Sequence, residues 1–363
     1  MKSAMSKAKV SLLPSYKQLA SQYQLGGMAI LLLVSFFISL TIGAVDVSFK
    51  DIINVFLNQL GLGTNEVAAT KSLVLTDFRL PRLLFTVLIG AALGVSGAAL
   101  QGLFRNPLVE PGIIGVSSGA ALGAIFIILG LESLIGEINP ELKQWILPPF
   151  AFIGGALATF VTLRLGNYKG QVRTTILILA GVAITSLASA TIGLGIFFSD
   201  EQQLRTFTFW TLGDLSGATW TKLYVIVLPI FGTIAGLCYY ARSLNALALG
   251  ESEAYHSGVN VEKVKRAVVL LSAVAVGTAV AFAGIIGFLG LVIPHIIRMT
   301  ISSDHRIVIP GSAIGGALLL ILADIVARTV VAPAELPIGI ITASVGTPFF
   351  IYLLTVAKRK QLI

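Results

Sequence analysis

One feature repeats along this sequence and limits what it can fold into: apolar runs, several of them as long as a lipid hydrocarbon layer is thick. A helix rising 1.5 Å per residue needs about 20 such residues to cross that layer. Ten stretches qualify, at about 27–46, 83–103, 112–131, 145–164, 174–197, 222–241, 266–284, 286–300, 309–327 and 340–357. In lipid every backbone N–H and C=O must find a partner within the protein, which restricts spanning structures to helices and closed barrels. Continuous runs of this length select helices. The expectation is an all-α, polytopic membrane protein with about ten crossings, a single transmembrane domain over 1–363 and a short tail at 1–25. Composition agrees: 56% of residues are apolar and 12% charged, against about 25% charged in soluble domains. The first run has no small-residue cleavage site close behind it and is read as a retained helix, not a signal peptide.

The seventh and eighth runs are the tight case, because only 33 residues run from Arg266 to Arg298. Gly284, Gly287, Gly290 and Pro294 fall inside this stretch, so a short or broken helix is expected there. Such a break requires protein or a water-filled cavity around its free backbone groups. Charge then fixes the sidedness. With ten crossings and both termini inside, 17 of the 25 basic residues fall in inner segments, the bias expected of cytoplasmic loops. They are Lys2, Lys7, Lys9, Lys17, Arg105, Arg164, Lys169, Arg173, Arg242, Lys263, Lys265, Arg266, Arg298, Arg306, Lys358, Arg359 and Lys360. Merging the seventh and eighth runs would move Arg298, Arg306 and the basic tail outside. The net charge of +8 is thereby assigned to sidedness and does not call for nucleic acid.

Three connections are longer than turns. Residues 47–82 form an outer segment with a short surface helix expected over Val47–Leu60. Residues 198–221 form a second outer segment, with Phe209, Trp210 and Trp220 at interfacial depth. Residues 242–265 form the longest inner loop, in which Leu244–Ala248 and Ala254–Val261 read as short helices separated by Gly250. Glycines at 90, 94 and 97, at 115, 119 and 123, and at 311 and 315 recur at helical spacing, the pattern that lets membrane helices approach closely.

Few side chains offer chemistry. The chain lacks G-x-x-x-x-G-K-[ST], so nucleotide binding would fall to another chain. Residues 166–170 read as a basic turn. Cys238 lies alone within Leu223–Tyr240 and is read as packing. His256, His295 and His305 lie in separate segments and form no metal cluster; no cofactor is expected. Asp324 is the one carboxylate inside an expected span, where such a group is costly and is paired or functional. Arg328 stands four residues later on the same helix face, near a helix C-terminus that favours a cation. A structural Asp324–Arg328 ion pair is the expectation, ahead of a proton relay.

Longer motifs carry a resemblance. RLPR at 79–82, GAALGVSGAALQGLFRNPLVEPGIIGVSSGAALG at 90–123 and FWTLGDLSGATW at 209–220 stand with ALALG at 246–250 and GFLGLVIPH at 287–295. DHR at 304–306, LADIVAR at 322–328 and ELPIGIITASVGTPFFIYLL at 335–354 complete the set. Together they make the chain resemble the FecCD-type permeases of binding-protein-dependent ABC importers, over nearly its whole length. The resemblance implies a type II importer permease without enzymatic activity of its own, in the bacterial inner membrane. Its partners would be a second copy of itself, two cytoplasmic ATP-binding subunits, a periplasmic binding protein, membrane lipid and an iron-chelate cargo. It also implies that Arg79, Arg82 and Arg328 meet acidic residues of the binding protein. The 242–265 loop would couple to the ATPase through Ala248, Leu249, Gly250, Glu251, Ala254, Gly258 and Val259. Here the sequence departs from the family pattern at His256-Ser257, where a leucine commonly precedes Gly258.

Haem, ferric siderophores and cobalamin all fit this family as cargo. EPGIIGVSSGAALG at 110–123 and QLRTFTFW at 203–210 stand closer to haem permeases, which places haem first. A reading from a different class is an ion-coupled secondary transporter, which would require transport by this chain alone and a cargo- or proton-binding side chain near midplane. An intramembrane enzyme would require clustered nucleophile, base or metal ligands, which the sequence lacks.

Overall fold

A computed structural model describes residues 16–43, 45–62, 67–135 and 140–361. Residues 1–15, with Lys2, Lys7 and Lys9, lie outside the described residues, so most of the tail expected at 1–25 does too. The chain runs α1 Tyr16–Thr41, α2 Phe49–Gln59 and α3 Ala69–Leu73; a π-helical turn, Val74–Arg79, leads straight into α4 Leu80–Phe104. After a 3-10 turn at Pro111–Ile114 come α5 Val116–Ile135 and α6 Pro140–Gly166, then the hairpin β1 Asn167–Tyr168 and β2 Gln171–Val172. There follow α7 Thr174–Phe198, α8 Glu201–Thr211, α9 Trp220–Tyr239, α10 Ala241–Leu249, α11 Glu251–His256 and α12 Val261–Ala283. The chain closes with α13 Leu289–Thr300, α14 His305–Thr329 and α15 Ile338–Gln361. Each expected crossing finds its helix: α1, α4, α5, α6, α7, α9, α12, α13, α14 and α15. Among the described residues, 7 helices have the length and hydropathy to cross a membrane outright.

Helix α4 is the axis of the bundle. It packs against α14, α12, α13 and α9, and almost every side chain from Leu83 to Leu103 is buried. That burial depends on its glycines. A methyl group placed on Gly90 would overlap the Gly316 carbonyl, on Gly94 that of Ser312, and on Gly97 that of Gly290. The backbones of α4, α14 and α13 therefore touch directly. Without a hydrophobic force between helices in lipid, close packing of this kind is what joins them. Gly119 and Gly123 do the same for α5 against α6, at Gly154 and Phe150. Three glycines expected in these ladders serve otherwise. Gly115 ends the 3-10 turn in the left-handed conformation (φ 83°). Gly311 and Gly315 meet side chains, and it is Gly316 that faces Gly90.

The tight seventh and eighth crossings resolve as one full helix and one broken one. Helix α12 ends at Gly284, whose φ of +69° leaves the helical region while its Cα approaches the Trp210 carbonyl. Residues 285–288 are not helical, and α13 has only 12 residues. A helix of that length rises about 18 Å, some half of a hydrocarbon layer of about 30 Å. The non-helical residues ahead of it, bounded by Gly284 and Phe288 at positive φ, carry the chain from the end of α12 into it. The exposed backbone is satisfied from within the protein. The Phe288 N–H donates to Glu110 Oε1 at 3.0 Å, and Gln101 Nε2 donates to the carbonyls of Gly290 and Leu291 at 3.1 and 3.2 Å.

The short elements form where local signals place them. Ser48 and Asp51 make a reciprocal capping box at the start of α2, and Asp200 with Gln203 makes another at the start of α8. Between α9 and α12 the second short helix sits earlier than Ala254–Val261. It begins at Glu251, directly after Gly250, and stops at His256, because Gly258 turns left-handed (φ 83°) and Asn260 caps α12.

Candidate functional site

The bundle has two chemically distinct ends. At one, the start of α4 meets the end of α14 and the residues after α1. At the other, the end of α4 meets the start of α14 and α10, and the 167–172 hairpin packs against the start of α12. The sequence-predicted residues divide between these ends.

At the first end, Asp324 is 1% exposed and lies between two guanidinium groups. Arg328 Nε stands 3.0 Å from its Oδ2, the expected pair, and Arg82 Nη2 stands 2.8 Å from its Oδ1. Arg82 also clamps Glu335 through both terminal nitrogens, at 2.9 and 2.8 Å. The expected pair is thus half of a four-residue cluster joining α4, α14 and the segment before α15. Glu335 was not singled out in the sequence, although ELP so close to the last span was a visible signal.

Arg79 and Arg328 have a further task. The last carbonyls of a helix lack intrahelical donors, and both arginines supply them to α1. Arg79 donates to the Leu40 and Thr41 carbonyls at 2.7 and 3.1 Å and also to that of Val45. Arg328 donates to the Ile42 carbonyl at 3.0 Å and to Ser39 Oγ at 2.7 Å. Arg79 is 7% exposed. The resemblance implied three arginines turned toward a partner; here all three are turned into the protein, because helix ends and a buried carboxylate claim them first. Glu335, with 39% of its side chain exposed, is the open member of the cluster.

Next to this end lies a cavity of about 610 Å³. Ile127, Ile128, Leu147, Phe209, Trp210 and Phe282 give it an apolar wall, and Asp214, Lys222 and Glu335 mark its polar edge. Phe207 and Trp210 stack with ring centroids 6.4 Å apart, and the Trp220 indole donates to the Thr76 carbonyl at 2.9 Å. Of the aromatics expected at interfacial depth, Trp210 and Trp220 are therefore fixed by packing and hydrogen bonding, and Phe209 stays exposed.

At the other end, the residues expected to couple divide by burial. Ala248, Leu249, Glu251 and Gly258 are exposed, Leu249 to 77%. Ala254 is fully buried, and Val259 packs against the core. These two anchor the loop and do not present it. Tyr255, 71% exposed, stands instead on the open face. Asn245 was missed altogether. Its Oδ1 accepts from the His305 backbone N–H at 2.9 Å and lies 2.8 Å from the His305 ring Nδ1, while its Nδ2 donates to Asp304 at 2.6 Å. Hydrogen bonds from Arg306 first, then from Asn245, hold the Asp304 carboxyl down at about 2. His305 is thus an inner strut between α10 and α14, while His256 and His295 stand apart from it. A group of His, Cys, Asp or Glu fit to hold a metal is absent among the described residues. Between the hairpin and α11 lies a second cavity of about 1260 Å³, edged by Arg173, Glu251, Tyr255, His256 and Lys265.

This architecture and these motifs recur in known proteins. The FecCD transport family matches residues 31–356. This chain belongs to that family. The hemin transport system permease HmuU of Yersinia pestis is 44% identical over 338 residues, covering 93% of this chain and 96% of that protein. The vitamin B12 import permease BtuC of Escherichia coli is 42% identical over 283 residues, covering 78% and 84%. Among solved structures, a metal-chelate type ABC transporter in an inward-facing conformation superposes with a TM-score of 0.78. That match is at 32% identity over 92% of this chain and 99% of the other. The protein is a non-enzymatic, multi-pass permease of the ABC importer class in the bacterial inner membrane. Family membership removes the secondary transporter and the intramembrane enzyme as readings, and Asp324 is accounted for by its two arginines.

Proposed function

We propose that two copies of this permease form the passage for haem, fed by a periplasmic binding protein at the Arg82 end and driven by two separate cytoplasmic ATPases at the Asn245 end. The observation that carries the cargo is the 44% identity to a hemin permease over 93% of the chain. The cavity beside Trp210, Phe209 and Phe282 agrees with it, since a flat aromatic cargo favours an apolar, aromatic wall with few polar groups. Haemin, ferrichrome and cyanocobalamin uptake, measured in cells that depend on this chain, are the test. Haemin uptake should be lost on deletion and restored by the intact gene. Restoration of cyanocobalamin uptake alone would transfer the assignment to the vitamin B12 class.

Sidedness follows from the 17 basic residues assigned to inner segments. Three of them support the Asn245 end as the inner one: Lys265 and Arg266 meet the hairpin, and Arg298 meets Gln101. Both termini are therefore assigned to the cytoplasm. Reporter fusions after Lys169, within 242–265 and at the C-terminus should read cytoplasmic, and one at 205–215 external. An external C-terminus would reject the assignment.

Exposed Leu249 and Tyr255, with Gly250 and Gly258 setting the bends around α11, are assigned to the ATPase contact. Unpartnered large apolar side chains at a helical turn mark an interaction surface. At the opposite end Arg82 is the arginine we assign to docking. A carboxylate of the binding protein takes the place of the exposed Glu335 in its fork, while Arg79 and Arg328 hold the socket rigid. Such exchange affects orientation and association rate more than affinity.

A further inference from the structure

The 167–172 hairpin is joined to the 242–265 loop by one buried side chain, Lys265. A two-residue turn at Lys169-Gly170 closes this hairpin, with Tyr168 opposite Gln171 and Asn167 opposite Val172. In an antiparallel pair the residues between hydrogen-bonded positions point their N–H and C=O away from the partner strand. Val172 is such a residue, and both its outward groups are taken by α12. Its N–H donates to Glu262 Oε2 at 2.7 Å, and its carbonyl accepts from Lys265 Nζ at 2.8 Å. The same ammonium donates to Glu251 Oε2 at 2.7 Å and stands 3.6 Å from Glu262 Oε1. Of the ammonium's three donors, one goes to β2 and one to α11, while Glu262, one turn earlier on α12, adds only the charge of its carboxylate. Lys265 is 3% exposed, so water cannot substitute for a lost partner. Arg266 adds a second tie, donating to the Gly170 carbonyl at 2.8 Å.

We propose that Lys265 is a positioning residue for transport. It fixes the hairpin to α11, so that a displacement of α11 by the ATPase carries the hairpin with it. The hairpin joins α6 to α7, and α7 keeps Leu179, Val182 and Leu187 exposed along its length. Moving the hairpin therefore moves the start of α7, whose inner face packs on α5 and α6 while its outer face is open. The proposal rests on the reading of 242–265 as the ATPase contact. Its chemistry is specific to a buried cation: a carboxylate pair and a strand-edge carbonyl cannot be held together by a neutral side chain of the same length.

The test uses the assembled transporter in lipid, with spin labels at Gln171→Cys on the hairpin, Ser252→Cys on α11 and Lys50→Cys on α2. Labelled copies are diluted with unlabelled ones so that distances are read within one chain. In the unsubstituted protein the 171–252 distance should be narrow and indifferent to ATP, while the 252–50 distance shifts. In Lys265→Met the 171–252 distribution should broaden and become sensitive to ATP. Haemin uptake should fall at least tenfold, and Lys265→Arg should recover half or more of it. A purely structural role would lower the yield of folded protein without separating the two distances. If Lys265→Met cannot be purified, Glu262→Gln tests the same tie from its other side. A narrow, ATP-indifferent 171–252 distance with full uptake in Lys265→Met would overturn the proposal alone. A 252–50 distance that ignores ATP in the unsubstituted protein would overturn the coupling reading and the proposal with it.

Discussion

Arg82→Met is expected to lower the melting temperature of the purified permease by several degrees, more than Arg328→Ala does. Asp324 is 1% exposed and cannot recruit water, so its charge is tolerable only through its two arginines. Removing one partner of a buried pair costs about 3–5 kcal/mol when the remaining charge is left alone. Here Arg328 stays at 3.0 Å after Arg82 is removed, which places the loss near about 3 kcal/mol, the lower end of that range. Arg82→Met also releases Glu335, but that carboxylate is 39% exposed and rehydrates. Arg328→Ala gives up its own 3.0 Å contact with Asp324 Oδ2, the Ile42 carbonyl and Ser39, but leaves Asp324 with both Arg82 hydrogen bonds, at 3.1 and 2.8 Å. Those losses come to about 1–2 kcal/mol. Because Arg82 and Asp324 share one interaction, Arg82→Met with Asp324→Asn should lose less than the sum of the single changes. Melting curves of the three variants and the double decide the matter. An Arg82→Met protein that melts like its parent would show that the cluster does not hold α4 to α14.

Replacing Gly250 and Gly258 together with valine should cut haemin uptake at least tenfold while the protein still inserts in the membrane. Gly250 has φ +136° and Gly258 φ +83°, regions that L side chains seldom enter and β-branched ones least of all. At Gly258 there is open space where a side chain would stand, so the effect there is on backbone angle and not on packing. Each substitution costs about 1–3 kcal/mol in its native conformation. The chain avoids that cost by rotating α11, the only short helix between the two positions. Tyr255 on α11 then turns relative to Leu249 on α10, although neither has been changed. Co-purification with the ATPase should weaken in parallel with uptake. Undiminished ATPase binding and uptake would remove α11 from the coupling contact.

The sequence was most legible where one local rule decides the outcome. Run length placed a helix at each of the ten expected crossings, and the glycine-rich stretch with only 33 residues from Arg266 to Arg298 marked where the break at Gly284 falls. The capping boxes at Ser48 and Asp200 are written in the sequence, three residues from their partners. Spacing of i to i+4 gave the Asp324–Arg328 pair. The exceptions were positional. Ala254–Val261 read as helix, but the left-handed Gly258 stops α11 at His256. Gly315 carries the right spacing, yet Gly316 faces α4, because a helix repeat of 3.6 residues does not state which face turns toward which neighbour.

The cluster and the ties were settled elsewhere. Arg82 and Asp324 are 242 residues apart, Arg82 and Glu335 253, and Lys265 and Val172 93. Nothing local to any of these residues names its partner. Arg79 reads as an outward-facing charge until the end of α1 is brought against it, and three carbonyls without helical donors then claim it. By itself the sequence determined that the chain crosses the membrane as helices and where those helices lie, because burial of apolar length and internal pairing of backbone groups are properties of each segment alone. The tertiary structure decided which charges are spent inside and which remain for a partner. Pairing in a low-dielectric interior depends on distances between segments, and those exist only once the helices have packed.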